Sequence, residues 1–309
     1  MSLIRSALLA ASQNHWLREQ APHYKFVRRN VSRFMPGEKV EDAFAAIQQL
    51  ATQNIGAVLT ALGENVTDRK EAAAETDHYC EVLKEIIART LNAEISVKLT
   101  HLGLDLDNNF CYANLEKLIA QSPTDKPVWI DMEQSAYVDR TLAMYTRARR
   151  AKANVGVCIQ AYLRRTESDL RSLLPLGGAI RLVKGAYNEP AEVAFPKKRE
   201  VDENYFQLAK MLLGQDARFE GIRAAIATHD RTLIQRITNF ANANQFPKEK
   251  LEFQMLYGIQ RAEQQRLAKE GYRSIVLIAY GTHWFPWYMR RLAERPANVL
   301  FLLRNLFAN

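Results

Sequence analysis

Six side chains with the chemistry to hold an anionic, zwitterionic ligand recur at equivalent places along the chain. Lys98, Arg181, Lys184 and His229 supply cationic or hydrogen-bonding groups, and Asp131 and Glu133 supply carboxylates. Each falls at or near the end of a short apolar run. Further polar residues follow the same habit: Glu64, Gln160, Thr228 and Gln254. A ring of cations facing two acids can grip a diphosphate and a zwitterion together. Near the C-terminus the adjacent Arg290 and Arg291 add a pair of guanidiniums, the group best matched to bidentate recognition of a carboxylate. Arg290 and Glu294 are also spaced i,i+4, so a simple surface ion pair accounts equally well for that stretch.

The elements that position these residues are read from periodicity. Apolar runs at Ile55–Leu59, Glu94–Leu99, Val128–Glu133, Val155–Gln160, Ile180–Lys184, Arg223–Thr228, Leu251–Met255 and Ser274–Ile278 have strand character. Stretches of helical period lie between most of them, such as Asp139–Ala153, Thr232–Asn244 and Ala262–Glu270. Eight strands alternating with helices predict an α/β fold with a closed, parallel (βα)8 TIM-like barrel. The spacing assigns residues 1–50 to an N-terminal helical preamble and 51–309 to the barrel. In such a barrel all strand ends point to one rim, which is where barrel enzymes keep their active sites. The segment Gly185–Asn204, with Pro190, Pro196 and a mixed-charge run, exceeds an ordinary βα loop and reads as a lid. The basic stretch Arg140–Lys152 reads as a solvated helix face.

Composition narrows the class. The 309 residues are 48% hydrophobic and 25% charged, with 13 Gly and 10 Pro scattered rather than gathered in a linker. These values exclude a disordered chain, a collagen-like fibre and a disulfide scaffold. Three widely separated cysteines offer no CxxC pair and point to a reducing, cytoplasmic setting. The six histidines form no HExxH or HxH motif, and no metal site is expected. Neither GxGxxG nor GxxxxGK[ST] occurs. A net charge of +8 favours anionic partners, but no dense basic block interleaved with aromatics suggests nucleic acid. The apolar run Ala7–Ala11 is too short for a membrane span or a secretory core, and the first twenty residues read as an amphipathic helix.

Seven stretches carry a more specific signal: ISVKLTHLGLDL (95–106), IDMEQS (130–135), IQAYLRRTESDL (159–170), RLVKGAYNEP (181–190), IATHD (226–230), FQMLYGI (253–259) and WYMRRLAERPAN (287–298). From about residue 40 onward the chain resembles the monofunctional proline dehydrogenases. That resemblance implies a distorted barrel binding FAD without a Rossmann fold. It further implies oxidation of L-proline to Δ1-pyrroline-5-carboxylate by hydride transfer to flavin N5, with electrons passed to a membrane quinone. By motif, Lys98, Arg290 and Arg291 would hold the proline carboxylate, with Glu294 paired to the arginine grip and Tyr187 and Leu256 walling the substrate. Asp131 would belong to the active-site polar network and Arg181 would lie near the reacting edge of the flavin. Met132, Gln160, Lys184, Gly185, Ala186, Thr228 and His229 fall at positions contacting FAD. A quinone acceptor implies peripheral contact with the inner membrane face, which a basic surface assists on an acidic leaflet.

The eighth strand departs from the family pattern. Ile275, Leu277 and Ala279 replace an expected arginine, tyrosine and proline, and Gln134 follows Asp131-Met132-Glu133. With Leu277 in the pocket wall, strictness for unsubstituted L-proline is left open, and a flavin enzyme for hydroxyproline or another secondary amino acid is the nearest competing reading. From another class, a barrel lyase would use Lys98 or Lys184 as a Schiff base, which needs an apolar niche around the amine. A basic scaffold or membrane-binding protein without catalysis is the fourth reading.

Overall fold

The computed structural model describes residues 31–63 and 65–294, with Arg290, Ala293 and Glu294 described in backbone only. The proposed N-terminal amphipathic helix and Glu64 therefore lie outside the described residues.

Eight parallel strands close on themselves in sequence order: β1 (Gly56–Ala61), β2 (Ala93–Val97), β3 (Val128–Ile130), β4 (Val155–Gln160), β5 (Ala179–Val183), β6 (Arg223–Ala227), β7 (Glu252–Leu256) and β8 (Arg273–Tyr280). Every strand expected from the apolar runs is present. Closure is made by β1 on β8, paired without a break from Gly56↔Ile275 to Ala61↔Tyr280. Strands buried on both faces read as apolar runs rather than as an alternation, because helices cover the outside and side chains fill the inside.

The helices are α1 (Val40–Ala51), α2 (Arg69–Ala88), α3 (Asn108–Gln121), α4 (Val138–Arg150), α5 (Thr166–Leu173), α6 (Lys198–Leu213), the short α7 (Gln215–Phe219), α8 (Arg231–Ala243), α9 (Arg261–Lys269) and α10 (Trp284–Glu294). Three of them begin on an aspartate cap just past a strand end. Asp68 accepts from Lys70 N, Asp107 from Phe110 N, and Asp230 from Thr232 N and Leu233 N. A carboxylate there satisfies backbone N–H groups that have no helical partner and favours the positive end of the helix dipole.

The ends of the barrel are irregular. α10, which follows β8, buries Trp284, Phe285, Trp287, Tyr288 and Leu292 in a separate cluster with Val31, Met35, Leu62 and Ala279. Leu62 and Ala279 mark the C-terminal ends of β1 and β8, so this helix lies across the rim instead of returning down the wall. Trp284 Nε1 donates to Glu38 Oε1 at 2.9 Å, tying the two segments together. The wall position between β8 and β1 is taken by α1, which packs on both strands and places Phe44 and Ile47 in the main core.

Two sequence expectations change here. The mixed-charge run Lys197–Glu203 is mostly the first two turns of α6, so the free segment is only the stretch from Lys184 to Lys197. That stretch is pinned: Ser135 donates to Glu189 from both N (2.8 Å) and Oγ (2.5 Å), Arg164 N donates to Val193 O, and Phe195 N to Tyr162 O. The arginines of α4 are not simply solvated either. Arg140 donates to Leu104 O, and Arg149 to Leu176 O and Ala153 O. The long stem and five donors of Arg let it satisfy carbonyls of neighbouring loops while remaining partly wet.

Inside the barrel the floor is ionic. Arg223 Nη1 lies 2.7 Å from Glu94 Oε1 and its Nε 2.9 Å from Glu252 Oε2, while Arg273 Nε lies 3.1 Å from Glu252 Oε2. Glu252 is buried, and its carboxyl is held below the usual range: burial opposes this, but the charges of Arg223 and Arg273 outweigh burial. Above the floor, Trp129 packs with Val58, Ala179, Ala225 and Ile275 and donates its indole N–H to Glu94 Oε2 at 2.6 Å. Its ring fits because Gly156 opposite carries no side chain; a Cβ there would lie 2.5 Å from Trp129 Cε3. Removing the Glu252 carboxylate leaves two guanidiniums sharing Glu94. Glu252→Ala is expected to lower unfolding free energy by about 3 kcal/mol or more, measured by urea denaturation.

Candidate active site

Period-two alternation carries the inward-facing positions upward from this floor. Beyond Trp129 comes Asp131, and beyond Glu94 come Ser96 and Lys98. Ala179 leads to Arg181 and Val183, Ala225 to Ala227, Gln254 to Leu256, and Ile275 to Leu277. The lower members of each series are mostly buried, whereas Lys98, Asp131, Val183, Ala227, Leu256 and Leu277 are all partly exposed. Exposure of inward-facing residues on six strands at the same level means that the barrel is hollow at its C-terminal end.

Arg181 forms the bottom of that hollow. It is 2% exposed. Its Nη1 donates to Asp131 Oδ1 and Ser96 Oγ, each at 3.0 Å, and its guanidinium lies 4.4 Å from the Trp129 ring centroid. Ser96 Oγ also donates to Asp131 Oδ1 at 2.7 Å. Nε and Nη2 of Arg181 make no hydrogen bond among the described residues. Leaving two nitrogens of a charged guanidinium dry and unpaired is costly. Gln160 has the same property. Its Nε2 donates to Met132 O (3.3 Å) and Glu133 O (3.1 Å), while its buried Oε1 makes no hydrogen bond among the described residues.

The remaining expected residues distribute unevenly. Lys98 is at the rim and donates from Nζ to Gly63 O at 3.2 Å. Met132 is buried beside Gln160, and Tyr187 and Ala186 are partly exposed on the stretch after β5. Gly185 adopts φ +108°, and a Cβ there would lie 2.1 Å from the Tyr162 ring, so no other residue fits. Lys184 is ion-paired: its Nζ lies 2.5 Å from Asp202 Oδ1 and 2.8 Å from Asp230 Oδ2. Thr228 Oγ1 accepts from Asp230 N at 3.2 Å, and His229 Nε2 accepts from Leu256 N at 2.9 Å, which fixes the imidazole tautomer with its proton on Nδ1.

Glu133 does not face the cations. It is buried and accepts from Thr100 N at 3.2 Å and Thr100 Oγ1 at 2.7 Å, bracing one rim loop against another. Its sequence neighbourhood with Asp131 concealed this, because consecutive residues past a strand end diverge. Arg291 is half-buried on α10 with its guanidinium 5.9 Å from the Trp287 ring centroid. The side chains of Arg290 and Glu294 lie outside the described residues; their backbone places both on α10 above the rim. Sequence reasoning missed Ser96 and Trp129, which look like ordinary strand residues until the barrel turns them inward.

Asp230 caps α8 while holding Lys184 and Lys198. Burial raises its carboxyl, but hydrogen bonds and charge from Lys184 and then Lys198 prevail and hold it at about 2. A carboxyl depressed in the folded state adds stability above about pH 4 that is lost as pH falls toward 2. After discounting for solvent screening, that term is about 1 kcal/mol. Asp230→Asn is expected to lose it at pH 5 and to flatten this acid limb, as read by denaturant titrations between pH 2 and 5.

Comparison with known proteins bears on the same region. The family profile described as proline dehydrogenase matches residues 43–304. Proline dehydrogenase 1 of Bacillus subtilis (strain 168) is 38% identical over 305 residues, covering 98% of this chain and 99% of that one. The proline dehydrogenase of Deinococcus radiodurans is 34% identical over 284 residues, 89% of each chain. Among solved structures, proline utilization A of Bdellovibrio bacteriovorus inactivated by N-propargylglycine superposes with a TM-score of 0.82 at 25% identity. The match covers 99% of this chain but only 38% of that longer one.

Proposed function

The chain belongs to the proline dehydrogenase family, and from that premise we propose that it oxidises L-proline to Δ1-pyrroline-5-carboxylate with FAD as cofactor and a quinone as electron acceptor. The observation that carries the reading is the hollow barrel end floored by Arg181, whose Nε and Nη2 make no hydrogen bond among the described residues and call for an acceptor. Gln160 Oε1, a buried acceptor on a side chain bonded to Met132 O that lacks a donor among the described residues, fits a ring system with both kinds of edge. Bound FAD supplies the two-electron acceptor that no protein side chain provides.

The chain's own residues then divide the work. Met132, Gln160, Gly185, Ala186, Thr228 and His229 hold the cofactor, with Lys184 acting through its two aspartates to fix the start of the stretch that carries Gly185 and Ala186. Lys98, with Arg290 and Arg291 from α10, grips the substrate carboxylate, and Glu294 orients the arginine pair. Tyr187, Leu256 and Leu277 wall the imino-acid ring. Holding the carboxylate at three cations sets one C–H bond in a fixed direction, which is catalysis by positioning. Arg181 offers a preorganised positive charge where negative charge grows, and Asp131 with Ser96 keeps it aimed. The substrate amine must be neutral at the moment of oxidation, so activity rises with pH until that proton is gone.

Leu277 favours a second substrate reading. Beyond Arg273 it is the one residue of β8 that is not buried, so its side chain borders the hollow. With no hydroxyl there, a 4-hydroxyl on the ring gains no partner, while apolar variation is tolerated. The barrel-lyase reading is disfavoured because Lys184 is paired with two carboxylates rather than held in an apolar niche. The net charge of +8 supports peripheral attachment to an acidic membrane surface at the cytoplasmic face, and among the described residues no helix is long and apolar enough to cross a membrane.

The decisive measurement is the visible spectrum of the purified protein before and after anaerobic L-proline. A flavin band that bleaches on proline addition is expected; protein that stays colourless with added FAD sinks the proposal. Arg181→Met should retain the fold but lower kcat by about 10²-fold. Comparing kcat/KM for proline, hydroxyproline and pipecolate tests the substrate: proline should lead, pipecolate should be tolerated, and hydroxyproline should be disfavoured.

A further inference from the structure

Helix α2 carries a carboxylate inside the stripe that it buries. Ala72, Thr76, Tyr79, Leu83 and Ile86 pack inward, and Glu75 falls among them with its side chain only 17% exposed. Its Oε1 makes no hydrogen bond among the described residues and lies 3.5 Å from His101 Nδ1, on an imidazole that is itself 11% exposed. The His101 ring occupies the space into which a side chain at residue 63 would project: a Cβ on Gly63 would lie 2.3 Å from its Cε1 and Nε2. The Gly63 carbonyl is in turn the acceptor for Lys98 Nζ. A continuous line of contact therefore runs from Glu75 through His101 and Gly63 to Lys98.

We propose that Glu75 and His101 form a positioning pair for Lys98 and make its grip on an anionic carboxylate dependent on pH. The proposal rests on the reading of Lys98 as a carboxylate anchor. A protonated Glu75 carboxyl is neutral; once it loses that proton it adds a negative charge near the cation. Burial raises the Glu75 carboxyl to about 7, the Lys98 charge pulls it down and Glu71 pushes it up. Among the described residues, the charged and titratable groups facing Glu75 are Glu71 and Tyr79 from its own helix, Lys98 and His101 from the end of β2 and its loop, and Tyr280 from β8. Burial pushes both phenols well above their ordinary value, so neither changes charge near neutrality.

The sign follows from the added charge. As pH rises through 7 the Glu75 carboxyl becomes negative and offsets Lys98, so a carboxylate ligand binds more weakly. The test is calorimetric titration of the holoenzyme with cyclopentanecarboxylate, which has no amine and keeps its charge above pH 6. Wild-type affinity should fall about five- to tenfold between pH 6 and 9. Glu75→Gln should bind with the low-pH affinity throughout, and the exposed Glu71→Gln should move the inflection to lower pH. A wild-type affinity that is flat over this range, or a Glu75→Gln protein that keeps the full step, overturns the proposal. If Glu75→Gln does not fold, an unmoved inflection in Glu71→Gln overturns it equally. Lys98→Met separates the two ideas: binding as tight as wild type shows that the anchor reading itself has failed.

Discussion

A guanidinium held in the dry interior of a barrel constrains everything around it. Arg181 is far too costly to bury unless its charge is matched, and the match is built from two neighbouring strands: Asp131 and Trp129 from β3 and its end, Ser96 from β2. Those partners fix the register between β2, β3 and β5 as firmly as the backbone ladder does, since a one-residue slip would turn each of them outward. The ionic floor beneath repeats the solution with Glu94, Glu252, Arg223 and Arg273. Trp129 separates the two charged layers, lying 4.4 Å from Arg181 and 5.3 Å from Arg223. One arginine layer is closed by carboxylates. The other keeps Nε and Nη2 of Arg181 without a hydrogen bond among the described residues, and that is the difference between two otherwise similar layers.

The rim shows a second division of labour. Some polar residues face the hollow, and others brace the loops that shape it. Glu133 on Thr100, Glu189 on Ser135, and Lys184 between Asp202 and Asp230 belong to the bracing set. Thr100 links the layers further, because its Oγ1 also accepts from Asn65 N in the loop after β1. Charged residues used in this way cost side-chain entropy but limit the conformations available to long βα loops, which positions the groups that do face inward.

Much of this was legible in the chain. The eight strands were visible because burial on both faces makes each an apolar run, and the rim because seven of the runs end at or near a polar residue. Which rim residues point inward was not legible: Glu133 looks as competent as Asp131, and only the curvature beyond the strand end sorts them. The last helix was readable as a helix but not as a cap on the rim, since its apolar residues Trp284, Trp287 and Tyr288 would suit the wall equally well. Glu75 left a faint signal, a carboxylate at the apolar spacing of α2, and its meaning depends on Gly63 and His101 arriving from two other loops.

The pairing of β1 with β8 has a consequence for the chain as it is made. Gly56–Ala61, buried throughout and free of charge, is synthesised about two hundred residues before its partner Arg273–Tyr280. At about 5–20 residues per second the ribosome leaves that edge unpaired for about ten to forty seconds. During this interval the nascent protein carries a sticky ribbon that neighbouring polypeptides could extend. Attachment of holdase chaperones to this segment would shield it, and the yield of native enzyme in the cell would be governed by that shelter as much as by final stability.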